Sequence, residues 1–207
     1  LLLRSLAGSP WLEPVDLGIV PDQPQLLEAA LQEGSRRADI LLSSGGVSVG
    51  DTDFMPGLVR RLGSLDFWKV AVKPGKPLAV GRIGDRPYFG LPGNPVSAAV
   101  TFLLFVLPAL RRLAGMNAVQ PSFWAARLAE AVTQHAGRET YLRARRVRGP
   151  EDEPWPTVQV LEGQGSNQLS ALAEADCLLR LPADCEHLAA GATVEVLLLP
   201  WADGRKP

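Results

Sequence analysis

Three stretches of the sequence combine glycine, proline, serine and charged side chains at spacings that suit an anionic ligand. The first is Ser43-Ser44-Gly45-Gly46-Val47-Ser48-Val49-Gly50-Asp51-Thr52-Asp53, which follows a short apolar run. Glycines at the end of a strand let the backbone turn tightly, so that its N–H groups and the hydroxyls of Ser44 and Ser48 gather round a phosphate or molybdate at the next helix start. A tight strand-to-helix connection would use Gly45, Gly46 and Gly50 equally well. The carboxylates Asp51 and Asp53 weigh towards function, because acids beside an oxyanion call for a divalent cation such as Mg²⁺, although either also suits a helix cap.

The second stretch is Lys73-Pro74-Gly75-Lys76-Pro77, where the prolines limit how far Lys73 and Lys76 wander and so present two ammonium groups together. A preorganised pair of point charges suits phosphate, and a solvated hairpin is the simpler alternative. In the third, Gly90-Leu91-Pro92-Gly93-Asn94-Pro95-Val96-Ser97, Asn94 stands where an N-cap belongs and Pro95 where a first helical residue belongs. Helix initiation does not account for Pro92 and Gly93, which would leave bare backbone at the carboxyl end of a strand, where ligands of open α/β sheets collect.

What is missing narrows the chemistry. Neither histidine (His135, His187) nor cysteine (Cys177, Cys185) occurs in the first half of the chain, so the chemistry there must rest on metal, lysine and backbone. Cys177 and Cys185 lack the spacing of zinc ligands and suit a reduced, cytoplasmic protein. A formal charge of −1 over 207 residues speaks against nucleic-acid binding. The leading Leu1-Leu2-Leu3-Arg4-Ser5-Leu6 is too short to cross a bilayer and resembles the last turns of a helix with a glycine stop at Gly8, so the chain is expected to begin inside a larger protein without a membrane segment.

These stretches need elements to hold them. Val15 to Val20 is expected as a strand, the segment after Pro21-Asp22 as a helix through Leu26, Leu27, Ala30 and Leu31, and Asp39 to Ser43 as a doubly covered parallel strand. A helix from Asp53 to Leu62 follows, then strands over Phe67 to Val72, Leu78 to Arg82 and Tyr88 to Leu91, and a long apolar helix from Val96 to Leu113. Beyond Asn117 come short β-type runs at Tyr141 to Val147, Val158 to Leu161, Cys177 to Leu181 and Thr193 to Leu199. The expected architecture is a three-layer α/β domain with a parallel-rich sheet over residues 1–116, then a small all-β, barrel-like domain over 117–207.

Taken in order, Ser-Gly-Gly-Val-Ser-Val-Gly with Asp53, Lys-Pro-Gly-Lys-Pro and Leu-Pro-Gly-Asn-Pro-Val-Ser closely resemble the molybdopterin molybdenumtransferase family of MoeA and gephyrin. Gly137-Arg138-Glu139-Thr140-Tyr141-Leu142-Arg143-Ala144 and Gln164-Gly165-Ser166-Asn167-Gln168-Leu169 resemble that family's carboxy-terminal β domain. The resemblance implies Mg²⁺-dependent insertion of molybdate into adenylylated molybdopterin with release of AMP. It assigns Asp53, Lys73 and Lys76 to catalysis and Asp51 and Asp53 to the metal. It places Ser44, Gly45, Gly46, Val47, Ser48, Gly50, Pro92, Gly93, Asn94, Pro95, Arg143 and Ser166 on the pterin and molybdate. It further implies a homodimer that works with other molybdenum-cofactor biosynthesis proteins. The family's amino-terminal domains, and the first strand of its pterin-binding domain with an acidic site residue, have no counterpart here. The alternatives are a non-catalytic pterin-binding or gephyrin-like scaffold module, and a MogA-like or CinA-like domain with nucleotide chemistry.

Overall fold

The computed structural model describes residues 2–47, 54–149 and 154–202. Its elements are helices Leu2–Leu6 (α1) and Pro24–Arg37 (α2), strand Leu41–Ser44 (β1), helix Met55–Leu62 (α3), strands Gly63–Trp68 (β2), Val72–Lys73 (β3), Ala79–Ile83 (β4) and Arg86–Leu91 (β5), and the long helix Pro95–Leu113 (α4). Strands Phe123–Leu128 (β6), Val132–Thr133 (β7), Glu139–Val147 (β8) and Thr157–Val160 (β9), helix Leu169–Glu174 (α5), and strands Cys177–Leu181 (β10), His187–Leu188 (β11) and Thr193–Leu198 (β12) complete it. The chain divides into two units, Leu1–Val70 with Gly75–Val119, and Ala71–Pro74 with Gln120–Pro207.

The sheet of the first unit has the order β1-β5-β4-β2, and only the β1–β5 pairing is parallel. This corrects the expected parallel-rich sheet to a mixed one. Ile83 pairs with Arg86, leaving Gly84-Asp85 as the whole connection between β4 and β5. So short a link permits an antiparallel hairpin and rules out a parallel crossover. The strand expected at Val15 to Val20 does not form: the segment pairs with no strand among the described residues, Gly18 within it has a φ of +78°, and Ile19 is 102% exposed. Its β-type residues have no ladder to join among the described residues, and a lone strand cannot satisfy its own backbone.

Leu31 of α2 and Met55, Leu58 and Val59 of α3 pack with Leu41, Val47, Ala79, Ile83 and Tyr88 in one apolar cluster. Phe89 and Leu91, at alternate positions of β5, are buried as well, so this strand is covered on both faces. Helix α4 is apolar and long enough to cross a bilayer by composition alone, but 56% of that window is buried in the fold, as in a core helix. Pro108 lies within it and has no N–H to give, and the turn before it widens: Phe102–Val106 is π-helical, with the Leu107 N–H bonded to the Phe102 carbonyl.

In the second unit the pairings β10–β12, β12–β6, β6–β9, β9–β8 and β8–β10 close into a ring, and β3 adds to β8 through Val72↔Glu139 and Lys73↔Thr140. Residues 71–74, read from the sequence as part of the first domain, group with the second unit, and Val72 and Lys73 join its sheet. Closure leaves the ring's strands without open edges. Its interior holds Ala126, Leu128, Ala144, Val158, Leu179, Val194 and Val196. Outside, Arg180 pairs with Glu139 at 2.8 Å and Glu195 at 2.7 Å and lies over the Phe123 ring. Burial pushes the Glu139 carboxyl up, but hydrogen bonds from Arg180 and Tyr141 outweigh it and hold the group below its usual range.

Candidate functional site

The carboxyl ends of β1 and β5 lie side by side, because Ser43 pairs with Gly90 and Ser44 with Leu91. The glycine turn leaves one strand and the Pro92-Gly93 turn leaves the other. They are tied together: the Gly45 N–H donates to the Leu91 carbonyl at 3.0 Å, and the Ser44 hydroxyl donates to the Pro92 carbonyl at 3.2 Å. Gly45 and Gly46 have φ of +89° and +67°, a region other residues seldom enter. A Cβ on Gly46 would also meet Met55 Cγ at 2.8 Å, so the turn admits no side chain there.

Buried Tyr88 and half-buried Trp68 brace this turn from below. The hydroxyls of Ser43 and Tyr88 are 2.7 Å apart, and the Trp68 indole N–H donates to the Val47 carbonyl at 2.9 Å. Tyr88 is fully buried, and burial pushes its hydroxyl up to about 12. It therefore stays a neutral hydrogen-bonding group. Neither Tyr88 nor Trp68 was legible as a site residue, since each sits in an ordinary apolar run and its polar atom gains meaning only from the neighbour it meets.

Asn94 occupies the N-cap of α4 with extended backbone, and Pro95 opens the helix. Gly93 is exposed, and a Cβ added to it would lie 3.6 Å from the Gly45 Cα, so the backbones of the two turns run close. Beside them Leu2, Leu3, Ser44, Gly93, Pro95 and Ala98 line a recess of about 190 Å³. Pockets that enclose a drug-sized molecule hold about 300–1,000 Å³, so this one has room for only part of such a ligand.

Some expected site residues are placed differently. The Val47 side chain is 1% exposed and belongs to the core cluster, so only its backbone is available to a ligand. Pro92 is buried and serves the turn through its carbonyl. Lys76 is exposed in the first unit and Lys73 is exposed in the second. Ser48, Gly50, Asp51 and Asp53 lie outside the described residues. Among the described residues no group of three or more His, Cys, Asp or Glu side chains could hold a metal ion.

In the second unit Arg143 was expected to face the ligand. It is 1% exposed, and its guanidinium donates to the carbonyls of Gly163 at 2.9 Å and Gly165 at 3.2 Å. Burial lowers its affinity for the proton. These carbonyls build the turn before Ser166, which is half-buried. Arg143 thus braces the turn: it lies on the face of β8 opposite Ala144, outside the ring, and is buried there beneath the turn whose carbonyls it holds.

A model described as "Probable molybdopterin binding domain" matches residues 2–112, and one for the MoeA C-terminal region (domain IV) matches residues 125–199. The chain belongs to the MoeA family of molybdopterin-binding proteins. It is 35% identical to the molybdopterin molybdenumtransferase of Haemophilus influenzae over 89% of this chain and 45% of that protein. It is 39% identical to the molybdopterin molybdenumtransferase of Synechococcus elongatus over 86% of this chain and 43% of that protein. Among solved structures, a molybdenum cofactor biosynthesis protein of Pyrococcus furiosus superimposes with a TM-score of 0.76 at 27% identity, covering 96% of this chain and 63% of that one. The chain spans about half the length of the curated relatives it matches. Within the family frame the tied turns of β1 and β5 fall in the pterin-binding part, and the Arg143 turn falls in domain IV.

Proposed function

We propose that this chain forms the pterin-binding domain and the carboxy-terminal domain of a molybdopterin molybdenumtransferase, which inserts molybdate into adenylylated molybdopterin and releases AMP in the cytoplasm. The observation that carries this reading is the tandem match of the two family models, with the tied glycine and Pro92-Gly93 turns inside the first. Backbone N–H groups of the glycine turn beyond Gly45, whose own N–H is held by the Leu91 carbonyl, would hold the oxyanion, and Lys73 and Lys76 would offset the charge of the phosphates and molybdate as these approach one another. Gly93, Asn94 and Pro95 would form the opposite wall. Mg²⁺ belongs in this reading with Asp51 and Asp53, where it would shield those carboxylates from the anionic substrates. Ser166 would also contact the substrate, and the working enzyme would be a homodimer supplied with pterin by other cofactor-biosynthesis proteins.

The test is release of AMP on adding molybdate to adenylylated molybdopterin bound to the protein. Molybdate-dependent AMP release with transfer of molybdenum to the pterin supports the reading. Tight pterin binding without any release, in a chain carrying every domain of its relatives, would make this a binding module and refute the transferase assignment.

A further inference from the structure

Strands β1, β5, β4 and β2 carry one row of residues in register across the sheet of the first unit: Ser43 pairs with Gly90, Gly90 with Ala79, and Ala79 with Trp68. Residues paired laterally project to the same face. The middle of the row is nearly bare, since Gly90 has no side chain and Ala79 only a methyl group. Val47 fills the gap: a Cβ on Gly90 would lie 2.6 Å from Val47 Cγ1 and 3.2 Å from the Ala79 Cβ. The glycine turn is thereby set down on the sheet within reach of Trp68, whose indole N–H donates to the Val47 carbonyl at 2.9 Å.

The group that the indole holds is a carbonyl oxygen. A turn that offers N–H groups to an anion has to keep its carbonyls off that anion, because each carbonyl oxygen carries partial negative charge at the same close range. At this end of the sheet three carbonyls are occupied by donors: that of Leu91 by the Gly45 N–H, that of Pro92 by the Ser44 hydroxyl, and that of Val47 by Trp68. The recess lined by Ser44, Gly93 and Pro95 opens on these same turns. The first two donors come from the glycine turn and act on the turn beside it. Trp68 reaches in from β2 and acts on the glycine turn itself.

We propose that Trp68 is a positioning residue of the oxyanion site: its indole N–H holds the Val47 carbonyl away from the ligand, so that the glycine turn meets the anion with its donors. The inference rests on the reading that the glycine turn holds the oxyanion, and the test separates the two. Backbone amide shifts of the full chain are followed by NMR as molybdate is added, which reads the place of binding and the affinity together. In the parent the amides of residues 46–50 should move. Trp68→Phe keeps an aromatic ring and loses the N–H, and should weaken molybdate binding about fivefold, the scale of one hydrogen bond. A benzothienyl analogue of tryptophan at position 68, with sulfur in place of the N–H, fills nearly the same space and should show the same loss. It covers the case in which Trp68→Phe fails to fold. Leu31→Val thins the same apolar cluster without touching a hydrogen bond, so it should lower the melting temperature and leave molybdate binding unchanged. Unmoved amides at 46–50 in the parent overturn the reading of the turn and the inference with it. Moved amides in the parent, with normal molybdate binding in both Trp68 proteins, overturn the positioning role alone. So does a Leu31→Val protein that loses as much affinity as Trp68→Phe for the same drop in melting temperature.

Discussion

Replacing Gly90 with alanine puts one methyl group where the β1–β5 turn region has no room for it. A Cβ there would lie 2.6 Å from Val47 Cγ1, 2.7 Å from the Tyr88 hydroxyl oxygen and 3.2 Å from the Ala79 Cβ. Non-bonded carbons prefer about 3.5–4.0 Å. None of these neighbours has space to retreat, with Val47 at 1%, Tyr88 at 0% and Ala79 at 1% exposure. Forcing a methyl into a packed core costs about 1–3 kcal/mol, while the stiffer unfolded chain returns about 0.4–1 kcal/mol. The net loss is about 1–2 kcal/mol, which for a chain of this size lowers the melting temperature by about 2–8 °C. Gly57 supplies the comparison. It is exposed in α3 and a Cβ there meets nothing within 4 Å, so Gly57→Ala should stabilise by about 0.5–1 kcal/mol through helix propensity. Calorimetry on both variants reads opposite signs for one chemical change. Because the displaced atoms are Val47 and the Tyr88 hydroxyl that braces Ser43, Gly90→Ala should also weaken molybdopterin binding, whereas Gly57→Ala should not. A Gly90→Ala protein that melts at or above the parent would refute the packing described for this turn.

In the protein with all the domains of its relatives, Asp53→Asn should leave the melting temperature within about 1 °C, while abolishing molybdate-dependent AMP release and sparing pterin binding. Unfolding of that variant, or normal AMP release, would make Asp53 a cap instead of a metal partner. Cys177 is fully buried, and burial pushes its thiol up from 9.0 to about 12, so a thiol reagent at pH 8 should modify Cys185 quickly and Cys177 only on unfolding. The raised Cys177 value also gives a sign: stability from the protonated thiol is full below pH 9.0 and drains away as pH rises towards about 12, so the alkaline decline in melting temperature should be shallower in Cys177→Ala. Arg180→Gln separates Glu139 and Glu195 from their shared, partly exposed cation and should cost about 1 kcal/mol at low salt and less at high salt, measured by urea unfolding. An equal loss at both salt concentrations would show that the packing of the Arg180 guanidinium on Phe123, and not its ion pairs with Glu139 and Glu195, supplies the stability.

The sequence determined the parts that depend on neighbours along the chain. Apolar runs marked β5, β10 and β12, Pro95 after Asn94 marked the start of α4, and Gly45-Gly46 marked a turn, because local backbone preference and periodicity speak through adjacent residues. It also carried the three motifs in an order specific enough to indicate the family. Contacts between distant residues were beyond it. Val15 to Val20 has the composition of a strand, but a strand exists only when another offers a ladder, and none does so among the described residues. Lys73 and Lys76 are separated by two residues and belong to different units, which no spacing rule reveals. Arg143 looked like a ligand-facing cation, but the fold lays the 163–165 turn over its face of β8, and Gln164, Trp68 and Tyr88 acquired their partners only from the groups the fold brought within hydrogen-bonding distance. A side chain's type is written in the sequence, but whether its polar atom is spent inside the protein or kept for a ligand is decided by tertiary structure, because a buried donor must be satisfied by whatever the fold places beside it.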